Sequence, residues 1–186
     1  MEAFSDGVVA ILITIMVLDL KVPRGTALAD LVPLAPVFVS YVMSFAFLGT
    51  YWNNHHHLLQ AAKVVDGRVL WANLLLLFSL SMFPFTTAWM GETVFAPIPT
   101  AVYGAVALAA AIAYYLLIRA LVSAVGQPPS LAAAIGSDWK GKASLILYAA
   151  AVPCALSAPM IAVGLYVVVE CMWVVPDLRF ERTLMV

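Results

Sequence analysis

Phe4-Ser5-Asp6-Gly7-Val8-Val9-Ala10-Ile11-Leu12-Ile13-Thr14-Ile15-Met16-Val17-Leu18 sets one carboxylate at the mouth of an apolar run that carries no further charge. Ionisable groups are costly in hydrocarbon, so Asp6 is expected to have either a functional or a bracing role.

Outward from this run the whole chain keeps the same character. Of 186 residues, 65% are apolar and 10% charged, with a mean hydropathy of +1.02, far from soluble-domain averages. The sequence predicts an all-α, polytopic membrane protein forming a single domain over residues 1–186. Nine basic against ten acidic side chains give no sign of a nucleic-acid surface or a polybasic lipid-binding arm. Cys154 and Cys171 lack any CxxC or ligand-spaced partner and are expected to be small buried apolar residues. Glu2 near the start, and Pro23-Arg24 in place of a small-x-small cleavage site, argue that the first span is retained.

Apolar stretches between proline, glycine and charge predict six transmembrane helices near 4–21, 37–60, 69–90, 98–122, 141–157 and 159–175. The last two could be one helix of 35 residues. That would reach about 50 Å against a hydrocarbon core of roughly 30 Å, so Pro153 and Pro159 around Ser157-Ala158 point to two helices and a tight turn. Pro84 and Pro153 lie inside spans and are expected to kink them. With both termini cytoplasmic, Lys63, Arg68, Arg119, Lys140, Lys142, Arg179 and Arg182 fall inside, and only Lys21 and Arg24 outside. This distribution follows the positive-inside rule. Ala101, Ala105, Ala109 and Ala113 form a small-residue stripe expected to serve helix packing.

The polar residues inside spans are Asp6, Thr14 and Asp19, then Asn53, Asn54, His55, His56 and His57, then Asn73, and finally Glu170. At about 100° per residue, Ile11, Ile15 and Leu18 share one narrow stripe with Thr14 beside it, while Asp6 lies about 140° from Ile11. If the stripe lines an axis between subunits, Asp6 points into its own subunit and needs donors. Trp52, His55, His56 and Asn73 are the candidates. One histidine ring is expected to donate to Asp6 and another to face the cytoplasmic interface, where protonation near neutral pH could influence gating. Metal ligation is not expected, because consecutive histidines diverge by about 100° and none has a partner at i+4. Glu170 has no basic neighbour at helical spacing, and its state is left open as protonated, paired across helices or near the head groups.

Phe4-Ser5-Asp6-Gly7 with Ala10-Ile11 and Val17-Leu18-Asp19-Leu20-Lys21-Val22-Pro23 resembles the bacterial branch of the transmembrane protein 175 family, the lysosomal-type potassium channels. The likeness continues in Leu48-Gly49-Thr50-Tyr51-Trp52 with His55-His56, in Asn73-Leu74-Leu75-Leu76-Leu77-Phe78 with Pro84-Phe85 and Gly91-Glu92, and in Pro176-Asp177 with Glu181-Arg182. It implies six helices per subunit, a homotetramer in the lipid bilayer, and a pore lined by the first helix without a TVGYG filter. The narrow apolar layers would match Ile11, Ile15 and Leu18, with Thr14 the hydroxyl near the axis. Phe4, Ser5 and Asp6 would knit that helix to Trp52, His55 and Asn73. The family pattern also has an arginine four residues before the phenylalanine, a position ahead of Met1; without such a cation, Asp6 would rely on neutral donors.

Rings of aliphatic side chains close a pore by expelling water, because a bare cation loses its hydration there. The sequence reading is therefore a passive potassium channel with moderate preference over sodium, potassium ions as the permeant species, and no cofactor. The alternative is a proton-coupled transporter or proton leak using Asp6, His55, His56, His57 and Glu170. An enzyme is disfavoured, since no nucleophile–base pair or metal set emerges.

Overall fold

From Val8 to Met16 no proline or charge interrupts the backbone, and the chain forms α1 (Glu2–Met16), prolonged by a 3-10 turn over Val17–Asp19. The structure is a computed structural model and describes residues 1–136 and 138–174. A second 3-10 segment, Leu28–Leu34, leads into α2 (Ala35–Ala61). There Pro36 sits in the first turn, where its missing N–H is not needed. α3 (Gly67–Ser81) begins at Asp66, whose carboxylate accepts from the backbone N–H groups of Arg68 and Val69 at 3.0 Å each, a side-chain N-cap. α4 (Phe83–Glu92), α5 (Pro97–Ser123), α6 (Pro129–Ile135), α7 (Trp139–Ser157) and α8 (Pro159–Val174) follow. Among the described residues there is no strand.

Helices lie along each of the six stretches read from the sequence, with one division. The third span is two helices: Pro84 cannot donate to the carbonyl a turn earlier, and the ladder stops at Ser81 and restarts after Met82. The fifth and sixth stretches are separate helices, as expected, since α7 ends at Ser157, Ala158 leaves the helical conformation at φ −144° and ψ 70°, and Pro159 opens α8. Pro153 stays within α7. Residue 175, the resembling blocks at 176–177 and 181–182, and Arg179 and Arg182 fall outside the described residues. The stretches Leu28–Ala61, Gly67–Glu92 and Pro97–Ser123 are each long and apolar enough to cross a bilayer, and α8 is a shorter apolar helix. The chain is thus an all-helical membrane protein.

α5 holds the centre, packed against α3, α4, α7 and α8, whereas α1 lies against α2, α3 and α4. The small-residue stripe on α5 is corrected by the packing: Ala101 and Ala113 are buried but Ala105 and Ala109 are exposed, and Ala107, Ala110 and Ala111 face the core instead. Steps of four residues drift about 40° each around a helix, so the stripe crosses the exposed side at Ala105 and Ala109 and reaches the buried side again at Ala113. Cys154 is half-buried and Cys171 exposed, not buried as a pair. Within the apolar interior, the Ser44 hydroxyl is 2.7 Å from the Thr87 hydroxyl and 3.1 Å from that of Tyr103, tying α2, α4 and α5 together.

At Gly91, α4 comes close against the backbone of α2. A Cβ there would lie 2.9 Å from Val37 Cα and collide with the Ser40 hydroxyl. Because Val37 presents backbone, the helices must separate to admit a side chain. Gly91→Leu is expected to destabilise the protein by about 2 kcal/mol, in the range of overpacking, read as a lowered midpoint of thermal unfolding in detergent. An unchanged midpoint would show that α2 and α4 can part without loss.

Candidate functional site

α1 has two unlike faces. Ser5, Val9, Leu12 and Met16 are buried at spacings of four, three and four, the stripe of a helix packed on one side. Around the other side, Phe4 is 61% exposed, Ile11 57%, Ile15 44% and Leu18 79% within the single subunit. Phe4, Ile11 and Leu18 recur at seven-residue intervals, so they fall nearly on one line along the helix. Gly7 and Thr14 flank that line, and a Cβ on Gly7 would meet nothing within 4 Å. The Thr14 hydroxyl donates to the carbonyls of Ala10 and Ile11, 3.0 Å each, leaving its oxygen lone pairs outward.

The buried side of the α1 N-terminus is held by a polar network. Asn73 on α3 donates from Nδ2 to Ser5 Oγ at 3.0 Å and accepts at Oδ1 from His55 Nε2 on α2 at 2.7 Å. An amide oxygen only accepts, so His55 carries its proton on Nε2. Ser5 in turn donates to the Met1 carbonyl at 3.2 Å. Three helices therefore meet through one amide. Ser5 is 1% exposed and Asn73 2%, which makes each of these bonds hard to replace by water.

Asp6 faces α2, where Trp52 Nε1 donates to its Oδ1 at 2.9 Å. This corrects the expectation of a histidine donor. Trp52 and His56 are one turn apart on the same face of α2, stacked at 5.6 Å between ring centres, and together they cover the start of α1. His56 Nδ1 lies 3.0 Å from the Glu2 carboxylate, and its Nε2 is 2.9 Å from the Gln60 amide nitrogen. His55, round the helix from this pair, turns to α3 instead. The ring of His57 meets that of His56 edge-on at 5.8 Å. Phe4 stands apart from the network on the exposed line, because it lies about 100° from Ser5. Residue spacing alone gave no signal for the part of Glu2 in this cluster.

Glu2, Asp6 and His56 bring their ligand atoms within 4.8 Å of one another. They are the described residues best placed to hold a metal ion. The amide nitrogen of Gln60 can only donate, so His56 Nε2 accepts and the ring proton sits on Nδ1, which lies 3.0 Å from the Glu2 carboxylate without making a hydrogen bond to it. In that arrangement the ring offers the cluster a proton rather than a lone pair.

Glu170 belongs elsewhere. Thr50 Oγ1 donates to its Oε1 at 2.6 Å, joining α2 to α8. Thr50 and Trp52 are two residues apart, hence about 160° apart around α2, so the two acids approach α2 from different sides. At the opposite end of α1, Lys21 pairs with Glu92 at 2.5 Å, both well exposed.

Loss of the Asp6 carboxylate leaves Trp52 Nε1 without its acceptor and loosens α1 from α2. Asp6→Ala is expected to lower the yield of assembled protein and its thermal midpoint, with a cost of about 1 kcal/mol for the orphaned donor. A normal yield and midpoint would show that α1 keeps its place without the carboxylate.

A family model described as the endosomal/lysosomal potassium channel TMEM175 matches residues 1–84, which hold α1, α2, α3 and the network between them. A protein from Chryseobacterium sp. (strain P1-3) named a potassium channel is 47% identical over 184 residues, covering 99% of this chain and 96% of its own length. Another from Streptomyces collinus, also named a potassium channel, is 36% identical over 124 residues, covering 62% of this chain and 60% of its own. Among solved structures, the lysosomal potassium-selective channel TMEM175 homologue from Chamaesiphon minutus superposes with a TM-score of 0.75 at 28% identity, covering 95% of both chains. A likeness that runs through the polar network and along practically the full length of both chains has one explanation: the chain belongs to the TMEM175 family.

Proposed function

We infer that this protein is a passive potassium-permeable channel of the cell membrane. In this reading it is a homotetramer of subunits with six membrane spans and both termini in the cytoplasm. The exposed faces of four α1 helices surround the pore. Rings of Ile11, Ile15 and Leu18 close it by excluding water, and Thr14 supplies hydroxyls beside them. Selectivity for potassium over sodium is moderate, since sorting rests on partial dehydration and hydroxyl contacts rather than a carbonyl cage. No enzymatic step and no cofactor enter this reading.

The observation that carries it is the asymmetry of α1. Its polar anchors turn into the subunit, and its exposed line is apolar, with Gly7 and Thr14 beside it. A helix that met only lipid would have no use for a glycine and a threonine on that face, whereas close approach of symmetry-related helices favours small residues. The relatives named as potassium channels support the choice of ion. A proton-coupled reading gains little, because Glu170 and the Asp6–His56 cluster address different sides of α2.

The test is cation flux from liposomes holding the purified protein, with potassium and sodium at matched gradients. Potassium is expected to leave faster, following the electrochemical gradient alone. Stoichiometric counter-movement of protons, or absence of flux for both ions, would overturn the proposal.

A further inference from the structure

The start of α1 carries two carboxylates on one face. Glu2 and Asp6 are one helical turn apart, and among the described residues neither makes an ion pair with lysine or arginine. Like charges at that spacing repel, so the pair favours a cation between them. Facing them on α2 stands His56, and one ligand atom from each of the three lies within 4.8 Å of the other two. Trp52 holds two of the three in place, donating from Nε1 to Asp6 Oδ1 at 2.9 Å and stacking on the His56 ring at 26°. His56 Nδ1 is shielded from solvent and makes no hydrogen bond, although a Glu2 oxygen is 3.0 Å away. A buried nitrogen without a partner calls for an explanation, and a metal ion would satisfy it together with both acids.

We propose that Glu2, Asp6 and His56 bind a divalent transition-metal cation of the zinc type, which fastens α1 to α2. Zinc takes imidazole nitrogen and carboxylate oxygen at about 2.0–2.2 Å, in a tetrahedron whose corners are roughly 3.4 Å apart. The three ligand atoms reach that spacing through small movements of Glu2, whose half-exposed side chain has room to turn, and a water fills the fourth corner. Calcium takes six to eight oxygen ligands and magnesium keeps several of its waters, whereas an imidazole among the donors selects a transition metal. To ligate, the ring presents Nδ1 as a lone pair. Its single proton moves through solvent to Nε2, and the Gln60 carboxamide, 2.9 Å from that nitrogen, turns over so that its oxygen accepts. No proton is gained or lost overall, and such an outer hydrogen bond is the usual support of a metal-bound imidazole. The site is distinct from chelation by the histidine run: His55 is committed to Asn73 at 2.7 Å, and only the middle ring joins the two acids.

Isothermal titration of the full-length protein in lipid nanodiscs with zinc chloride, against empty nanodiscs as the blank, tests the site. Saturable binding of one ion per subunit is expected, with magnesium chloride in about tenfold excess displacing it poorly. Glu2→Gln and His56→Leu are each expected to weaken binding by about tenfold or more, since loss of even an outer partner of a metal ligand costs 10–100-fold. Zinc is also expected to raise the midpoint of thermal unfolding in the parent protein and not in Glu2→Gln, because an ion held only by the folded chain stabilises it. Glu2→Gln, in the first turn of α1, serves alone if His56→Leu does not fold. Four results overturn the proposal: no saturable zinc binding, undiminished binding in the folded variants, displacement by magnesium as effective as by zinc, or a parent midpoint that zinc leaves unchanged. Binding lost in Cys171→Ala and kept in Glu2→Gln would place the ion at the exposed thiol of α8 and overturn it equally.

Discussion

Ile11→Asn is expected to raise basal ion flux about tenfold and to narrow the difference between potassium and sodium. Ile11 is 57% exposed on the face of α1 that the subunit itself leaves uncovered. In the proposed tetramer that face forms a ring of four branched side chains, and the barrier to an ion there is the loss of its water. An amide in place of each sec-butyl group gives the passing ion's waters a donor and an acceptor. A net hydrogen bond is worth about 1 kcal/mol, and 1.4 kcal/mol is a factor of ten in rate, so even one or two effective contacts per ring reach the stated change. Selectivity falls because an ion that keeps its shell is no longer sorted by the cost of shedding it. Liposome flux with potassium and sodium in parallel measures both effects. Conductance and preference equal to the parent protein would remove Ile11 from the pore, and with it the aliphatic gate.

Asn73→Leu is expected to be the most damaging single change in the network, lowering stability by about 2 kcal/mol. Leucine matches the amide in shape but ends both of its bonds, stranding His55 Nε2 inside the protein and leaving Ser5 Oγ with only its bond to the Met1 carbonyl. Each buried group left without a partner costs about 1–3 kcal/mol, moderated in membranes because the unfolded reference also finds partners. The readout is the unfolding midpoint in mixed detergent micelles. The double variant His55→Leu with Asn73→Leu is expected to lose less than the sum of the two single variants, since it removes the stranded imidazole together with its acceptor. Strict additivity would mean that the two residues stabilise the fold separately, despite the 2.7 Å contact between them.

Much of the candidate site is legible in residue spacing. A rotation of about 100° per residue is enough to separate Ile11, Ile15 and Leu18 from Asp6, and the structure keeps the two groups on different faces of α1. Spacing is silent on which donor reaches the carboxylate. Trp52, His55 and His56 all lie within two turns of α2, and the choice of Trp52 depends on how α2 is rotated against α1, which packing along the entire length of both helices sets. Phe4 illustrates the same limit. It neighbours Ser5 and Asp6 in the chain, yet one residue's turn carries it onto the exposed line. The stripe of alanines on α5 fails for a related reason, because four-residue steps drift around the helix and carry Ala105 and Ala109 across its exposed side.

By itself the sequence determined the class of protein and the placing of its helices. Hydropathy requires that backbone polar groups be satisfied within each span, helices do this locally, and proline ends them where it removes a donor. Only the tertiary structure decided which polar groups meet. Asn73 joins Ser5 to His55, Trp52 takes Asp6, and Thr50 takes Glu170 on another side of the same helix. Those pairings depend on the relative rotation and depth of helices distant in the chain. Such quantities are fixed by side-chain packing between surfaces and leave no period in the order of residues.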